Sequence, residues 1–351
     1  MALKASFRPE YEALTRAIGE MQDAGICTDC EIRVVQGPEE NLFGEEKALL
    51  DVIEGNPPLP RLLPPYEHGL FATAVQTGWE GHDPDPDVPS GRSSNPTVVN
   101  NVETLSNLPH VLARGPEWFR SLGTEATPGT FVCTVVGDVA APDVGEVEAG
   151  TPLRQVIDAV GSGLSAGRSV KGVLSGVANP VVLAPDLDTP VSYEGFQAIG
   201  TGIGSCGFIV LDDTACMVAA AHLISQFLAV ESCGQCPPCK LGSGEITTRL
   251  ERLQAGVAGD VDLETITYWV ARVTDGARCY LATEEQLVVA SLLQAFPEEF
   301  VAHVGQGGCP LPRRIELPKL VDLADGVATV DSRQERKQPD WTYLPEPGAA
   351  P

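Results

Sequence analysis

Apolar side chains recur at helical spacing over residues 9–24, where Tyr11, Leu14, Ala17, Ile18 and Met21 form one stripe between Pro9 and Gly25. A proline opening such a run and a glycine closing it predict a helix. A strand is expected over residues 31–35. Gly44, Glu45 and Glu46 then open a short apolar run that predicts a second helix, with acidic residues in its first turn. The proline-rich stretch 57–65 is expected to be rigid and extended. Residues 76–95, polar and rich in Pro and Gly, predict a surface insertion or linker. Order is expected to resume at Asn95, with Asn100 or Asn101 capping a helix whose apolar stripe is Leu105, Leu108, Val111 and Leu112.

From about residue 129 the pattern shifts to short Val- and Thr-rich runs between glycines. Strands are expected at 130–137, 145–150, 170–175 and 180–183. A helix over 151–160 has Thr151 as its cap and Pro152 at its first position. This β-β-α-β-β order predicts a small ubiquitin-like β-grasp domain. The glycines of Ile199-Gly-Thr-Gly-Ile-Gly-Ser205 have the look of a dinucleotide loop. They precede the strand expected at 207–211 instead of following one, so they predict a tight turn.

The remainder reads as helical, over 214–230, 242–253, 263–273 and 283–293. In the first of these, Met217, Ala220, Ala221, Leu223, Ile224 and Phe227 point inward. A four-helix bundle is predicted. Past Pro310 the chain is charged and proline-rich, and an extended arm is expected.

The chemistry concentrates between the first two of those helices. Cys233, Cys236 and Cys239 are each separated by two residues, and Cys279 follows between the third and fourth helices. Three thiolates at this spacing can converge on one inorganic core, with the fourth corner supplied from a distance. That is the ligand pattern of an iron–sulfur cluster, most simply [4Fe–4S]. Zinc would call for a second paired set near Cys279, and none is there. Gly234, Pro237 and Pro238 suit a backbone that hugs a cluster. Cys27 and Cys30 form a separate C-x-x-C that does not precede a helix, so thiols without a metal are expected there. Cys133, Cys206, Cys216 and Cys309 lack spaced partners and are expected to be packing or spare thiols. The five histidines suggest no cluster.

The chain has 351 residues, enough for two or three domains, and its formal net charge of −25 disfavours nucleic acid and anionic lipid as partners. No apolar run reaches the roughly 18 residues of a membrane span, and the N-terminus lacks the apolar core of a signal peptide. Ten cysteines without a secretory signal imply a reducing compartment. A cytoplasmic location is expected, peripheral to the inner face of the membrane at most, through a complex.

Four segments carry a family resemblance. Glu231–Gly242 resembles the Glu-Ser-Cys-Gly-x-Cys-x-Pro-Cys-x-x-Gly loop of the flavoprotein, NADH-oxidising subunit of respiratory NADH dehydrogenase. Related subunits serve NAD-linked hydrogenases and formate dehydrogenases. Thr97–Thr104 is similar to that family's Asn-Asn-Val-Glu-Thr segment, Gly44–Leu50 to its Gly-Glu-Glu-Thr-Ala-Leu-Leu, and Pro60–Pro65 to its Pro-Arg-x-x-Pro-Pro. The resemblance extends from about residue 7 to about 305. It implies hydride transfer from NADH to FMN and single-electron transfer to a [4Fe–4S] cluster held by Cys233, Cys236, Cys239 and Cys279. It further implies that Gly44, Glu45, Glu46, Asn100, Asn101 and Thr104 lie near the flavin and NAD. The implied partners are other subunits of such a complex, including a thioredoxin-like 2Fe–2S subunit.

Departures from the family are as specific as the matches. Its Gly-Arg-Gly-Gly-Ala-Gly-Phe-Pro loop and Asn-Ala-Asp-Glu-x-Asp-Pro-Gly segment, which cradle FMN and NADH, have no counterpart in this chain, and the helix threonine is Lys47. An N-terminally truncated or divergent member is expected. Its parts would be a partial α/β flavin-binding domain (1–125), the β-grasp domain (126–205), a helical cluster domain (206–306) and a tail (307–351). Three functions compete: an NADH-oxidising flavoprotein subunit, a relay subunit holding the cluster alone, and a structural zinc or assembly protein.

Overall fold

The structure is a computed structural model that describes residues 1–72, 95–311, 313, 315–324 and 327–345. The expected insertion at 76–95 lies outside the described residues except for Asn95. The chain forms two compact units, Met1–Val102 and Glu103–Pro351.

In the first unit, β1 (Ala2–Lys4) and β2 (Val35–Gly37) pair in parallel, with α1 (Arg8–Asp23) between them in sequence. The strand expected at 31–35 is therefore shifted to 35–37. Its partner β1 is three residues long, and the pairing runs from Ala2↔Val35 to Lys4↔Gly37. A 3-10 turn, Asn41–Gly44, leads into α2 (Glu46–Ile53). Leu42, Phe43, Ala48 and Leu50 form the unit's core. Gly37 is required there, since a Cβ on it would stand 2.2 Å from the Phe43 ring. Arg61, from the proline-rich stretch, is buried against α2 on Asp51 (2.8 Å) and Glu54 (2.7 Å).

The single helix expected after Asn101 is instead three short ones: α3 (Val102–Ser106), α4 (Leu108–Arg114) and α5 (Pro116–Arg120). Pro109 and Pro116 lack the N–H that a continuous helix needs, and Gly115 turns the chain at φ +85°. The predicted inward stripe fails with it, as Leu105, Leu108 and Leu112 are 43%, 51% and 86% exposed.

A five-stranded mixed sheet follows, built from β3 (Thr130–Gly137), β4 (Asp143–Glu148), β5 (Val170–Ser175), β6 (Val182–Leu183) and β7 (Gly207–Asp212). The strand order is β4-β3-β7-β5-β6, with β3 and β7 parallel and the other pairs antiparallel. One core joins the sheet to α6 (Leu153–Gly161), through Leu153, Val156 and Ile157 against Cys133, Val135, Phe208 and Val210. Thr151 does not cap α6. Pro152 occupies that position, and the Thr151 hydroxyl donates to Glu148 O at 2.7 Å. A further helix, α7 (Tyr193–Ala198), is capped by Ser192 and sends Phe196 into the core. The glycines at 200–204 form the expected turn, with Gly200 and Gly204 at positive φ. β7 sits at the sheet's centre, so the sheet draws on residues either side of position 205.

The helical part comprises α8 (Met217–Glu231), α9 (Pro237–Gln254), α10 (Asp260–Val270), α11 (Leu281–Ala295) and α12 (Pro297–Ala302). Gly242 lets α9 approach α10, since a Cβ there would already lie 3.0 Å from the Trp269 ring. Glu285 of α11 is completely buried and bonded by the Ser225 hydroxyl of α8 at 2.6 Å. Burial pushes its carboxyl up to about 8, against the Ser225 hydrogen bond. Folded protein therefore holds a proton that unfolded chain releases near pH 4.5. This contribution to stability is complete below pH 4.5 and is lost as pH rises to about 8, at a slope of at most about 1.4 kcal/mol per pH unit. Glu285→Gln is expected to flatten that slope. Thermal midpoints measured across the same pH range for both proteins would reveal it, and parallel curves would exclude it.

The tail is not a plain extended arm. It forms an antiparallel pair, β8 (Leu320–Ala324) and β9 (Val327–Val330), and then packs residues 331–344 against the end of α8.

Candidate metal centre

Helix α8 ends at Glu231, and Ser232 turns the chain into extended backbone. Gly234 takes φ +80°, a left-handed value that favours glycine and bends the chain between Cys233 and Cys236. Cys236 then occupies the cap position of α9, with prolines directly behind it, and Cys239 lies in the first helical turn. The helix thus starts at Pro237, earlier than the predicted 242. The prolines begin it, because their missing N–H groups would be unpaired at that end anyway. Cys279 lies in the turn between α10 and α11. Cys236 and Cys239 are buried, Cys233 and Cys279 half-buried, and no cysteine forms a disulfide among the described residues, which include all ten.

Polar groups surround the sulfurs. The Ser232 hydroxyl is 3.3 Å from Cys239 Sγ, and Gln235 Nε2 donates to Cys233 Sγ at 3.6 Å. Arg278 donates to Gln235 Oε1 at 3.1 Å, which links the Cys279 turn to the first three cysteines. Lys240 Nζ donates to Ala229 O (3.0 Å), Ser232 O (2.7 Å) and Pro339 O (2.6 Å). Burial raises the Cys239 thiol above its usual value, the Ser232 hydroxyl opposes this, and the neighbouring Cys236 and Cys233 add to it. Thiols crowded in this way favour a cationic core that draws them off as thiolates. The N-terminus of an 18-residue helix adds a positive field at the same point.

The donor set fits a cluster better than a single ion. Tetrahedral zinc with bonds of about 2.3 Å brings its sulfurs to about 3.8 Å of one another. The one group of three or more Cys, His, Asp or Glu ligand atoms within 4.8 Å of one another, among the described residues, lies elsewhere in the fold. Cys233, Cys236, Cys239 and Cys279 offer four soft thiols with no imidazole or carboxylate among them, a donor set that suits an iron–sulfur core.

Two contacts brace this loop, one buried and one partly buried, and neither is signalled by a motif in the sequence. Lys337, from the tail, bonds both carboxylate oxygens of Glu231 at 2.9 and 2.8 Å, and neither side chain has any exposure. Trp341 Nε1 donates to Val230 O at 3.0 Å. Only the charge of Lys337 hinted at such a role, and nothing in the sequence pairs it with Glu231.

The residues matched to a flavin site occupy two stretches. Gly44 closes the 3-10 turn, and Glu46 is the first residue of α2. Glu45 caps α2 by accepting from the backbone N–H groups of Lys47 (3.0 Å) and Ala48 (2.9 Å). Burial raises its carboxyl above the usual range, partly offset by those bonds and Lys47. Asn100 and Asn101 directly precede α3, and Thr104 lies within it. Glu103, beside Thr104, accepts from Val132 N at 2.9 Å and ties α3 to the sheet. In the C-x-x-C, Cys30 N donates to Cys27 O at 3.3 Å, and both residues line a surface depression with Gln22 and Ile26.

Residues 219–303 match the iron–sulfur binding region of NADH-ubiquinone oxidoreductase-F. The F subunit of NADH-quinone oxidoreductase in Mycobacterium tuberculosis is 32% identical over 317 residues, covering 87% of this chain and 66% of that one. The chain belongs to this F-subunit family. Another member, the F 2 subunit of the same oxidoreductase in Rhizobium meliloti, is 33% identical over 282 residues, with 80% of this chain and 62% of that one covered. The HndC subunit of the NADP-reducing hydrogenase of Solidesulfovibrio fructosivorans is 30% identical, with 88% and 61% covered. The F-family chain thus spans just under two thirds of the length of these curated relatives. The crystal structure of an air-oxidised NAD+-reducing [NiFe]-hydrogenase superposes with a TM-score of 0.71 at 27% identity, over 86% of this chain and 48% of that one. The F-family member carries a mixed α/β fold, and none of its described helices is long and apolar enough to cross a membrane.

Proposed function

We propose that the chain relays electrons in an NADH-oxidising complex, receiving them from NADH through FMN and passing them on through a [4Fe–4S] cluster. The observation that carries this reading is the four-thiol arrangement of Cys233, Cys236, Cys239 and Cys279 within the matched iron–sulfur region. When bound, the cluster supplies one-electron redox chemistry. The chain's residues hold and tune it. The four cysteines ligate, the start of α9 and the Gln235 amide place positive dipoles at the sulfurs, and Lys240 anchors the loop to three carbonyls. Gly44, Glu45, Glu46, Asn100, Asn101 and Thr104 are the residues proposed to face FMN and NAD.

The mixed sheet with α6 across it supports the β-grasp domain expected over 126–205, with its central strand β7 (Gly207–Asp212) carrying it past that bound, and the packed helices α8–α11 support the bundle expected over 206–306, from Met217 onward. Residues 1–125 would be the partial flavin domain, and 307–351 the tail. Partners would be further subunits of the complex, including a thioredoxin-like 2Fe–2S protein, in the cytoplasm or at the inner face of the membrane.

A second reading, a relay subunit without flavin, draws on Glu45, whose carboxylate is already engaged as a helix cap. Anaerobic purification followed by iron, sulfide, zinc and FMN analysis separates the two. About four irons per chain with FMN, and NADH oxidation with an artificial acceptor, is the expected result. Iron without FMN would favour the second reading, and zinc without iron would overturn both.

A further inference from the structure

Outside the four-cysteine centre, Cys216, His303 and Cys309 bring their three ligand atoms within 4.8 Å of one another. His303 Nε2 is 3.4 Å from Cys216 Sγ and 3.2 Å from Cys309 Sγ. A tetrahedral zinc with Zn–S of about 2.3 Å and Zn–N of about 2.0–2.1 Å separates N from S by about 3.5 Å. The cage is thus near metal-binding dimensions already.

The surroundings are those of a built site. His303 is completely buried, and its Nδ1 lies 2.6 Å from Glu299 O. Nδ1 therefore carries the hydrogen and donates to that carbonyl, which leaves the Nε2 lone pair aimed at the two sulfurs. A backbone carbonyl orienting an imidazole in this way is a recurrent support for a metal-ligating histidine. Cys216, also completely buried, caps the N-terminus of α8, and its sulfur accepts from Ala219 N at 3.4 Å and from Gln254 Nε2 at 3.6 Å. Burial and the neighbouring Cys309 nevertheless push the metal-free thiol up, to about 11, and these two contacts only partly offset that.

The third ligand is placed by backbone. Gly305 N donates to Ala258 O and Gly307 N to Gly256 O, each at 3.1 Å, which pins the loop ahead of Cys309. Gly256 permits that approach, since a Cβ on it would stand 1.9 Å from Gly308 N. Cys216 and Cys309 fall outside the matched iron–sulfur region, and His303 is its last residue.

We propose that Cys216, His303 and Cys309 form a second metal site, separate from the cluster, that takes a divalent d10 cation of the zinc class. Two thiolates and one imidazole are a borderline-soft set that suits zinc, with a fourth position left for water. Binding releases the two thiol protons to solvent and involves no redox step. The ion would tie the first residue before α8, the end of α12 and the 305–309 loop together, fixing the base of the helix whose far end leads into the cluster cysteines.

The test uses the full chain, loaded with Zn(II), or with Co(II) as a spectroscopic probe, then desalted. About one zinc per chain beyond the iron complement is expected in the wild type, falling to under about a tenth in Cys309→Ala while iron is unchanged. Wild type with Co(II) should show thiolate-to-metal charge transfer and tetrahedral ligand-field bands, a readout that requires no variant to fold. Zinc retained in Cys309→Ala but lost in Cys279→Ser would assign it to the cluster cysteines and overturn the proposal. So would a wild type that keeps neither metal, or one that takes up Co(II) with no thiolate charge-transfer band.

Discussion

Replacing Cys279 with serine is expected to cut the iron of anaerobically purified protein to less than half of the wild-type content, and Cys309→Ser is expected to leave it unchanged. The fourth corner of a cluster held by Cys233, Cys236 and Cys239 has to come from outside their turn, and the Cys279 turn is joined to it through Arg278 and Gln235. A serine hydroxyl is a harder donor that deprotonates far less readily than a thiol, so it is a poor ligand for iron–sulfur cores. Iron and sulfide per chain, with the low-temperature magnetic resonance spectrum of dithionite-reduced protein, provide the measurement. Equal iron loss in the two variants would remove Cys279 from the ligand set.

The second large effect concerns stability. Lys337→Met is expected to destabilise the fold by about 3–5 kcal/mol, because it removes the ammonium from a carboxylate that stays buried, with the neutral Gln334 amide still at 3.1 Å from Glu231. Both partners have zero side-chain exposure, so solvent cannot step in. For a unit of this size about 1 kcal/mol moves the thermal midpoint by about 2–4 °C, so a fall of about 6–20 °C is expected. The double variant Lys337→Met, Glu231→Leu should recover most of it, since removing both charges also removes the desolvation penalty. A single variant that melts within a degree or two of the wild type would show that water reaches Glu231 after all.

Much of the fold could be read from the sequence, and the misses have definite causes. The Val- and Thr-rich runs at β3 and β5 were legible because their pattern comes from local burial, and in α8 Met217, Ala220, Ala221 and Ile224 are buried as expected while Leu223 and Phe227 are only half-buried. The start of α9 was missed because Pro237 and Pro238 read equally well as loop residues and as the first residues of a helix. Leu105, Leu108 and Leu112 carry helical spacing, yet they are exposed on helices that Pro109, Gly115 and Pro116 cut short. At the metal centre, the three closely spaced cysteines were visible as a motif. Cys216 and His303 meet across 87 positions, and the Lys337–Glu231 pair spans 106. No local pattern encodes such pairings, since they exist only once the helices have packed.

The strap around Lys337 also carries a consequence for biogenesis. It grips both shoulders of the cysteine turn, Glu231 and Val230 on one side and Lys240 on the other. Residue 337 is translated after Cys279, the last of the four cysteines. At ordinary rates of synthesis that delay is about 3–12 s. For that interval every proposed ligand has been made while the clasp across the turn does not yet exist. Cluster delivery during or soon after translation would meet an open turn, and the arrival of residues 331–344 would close it.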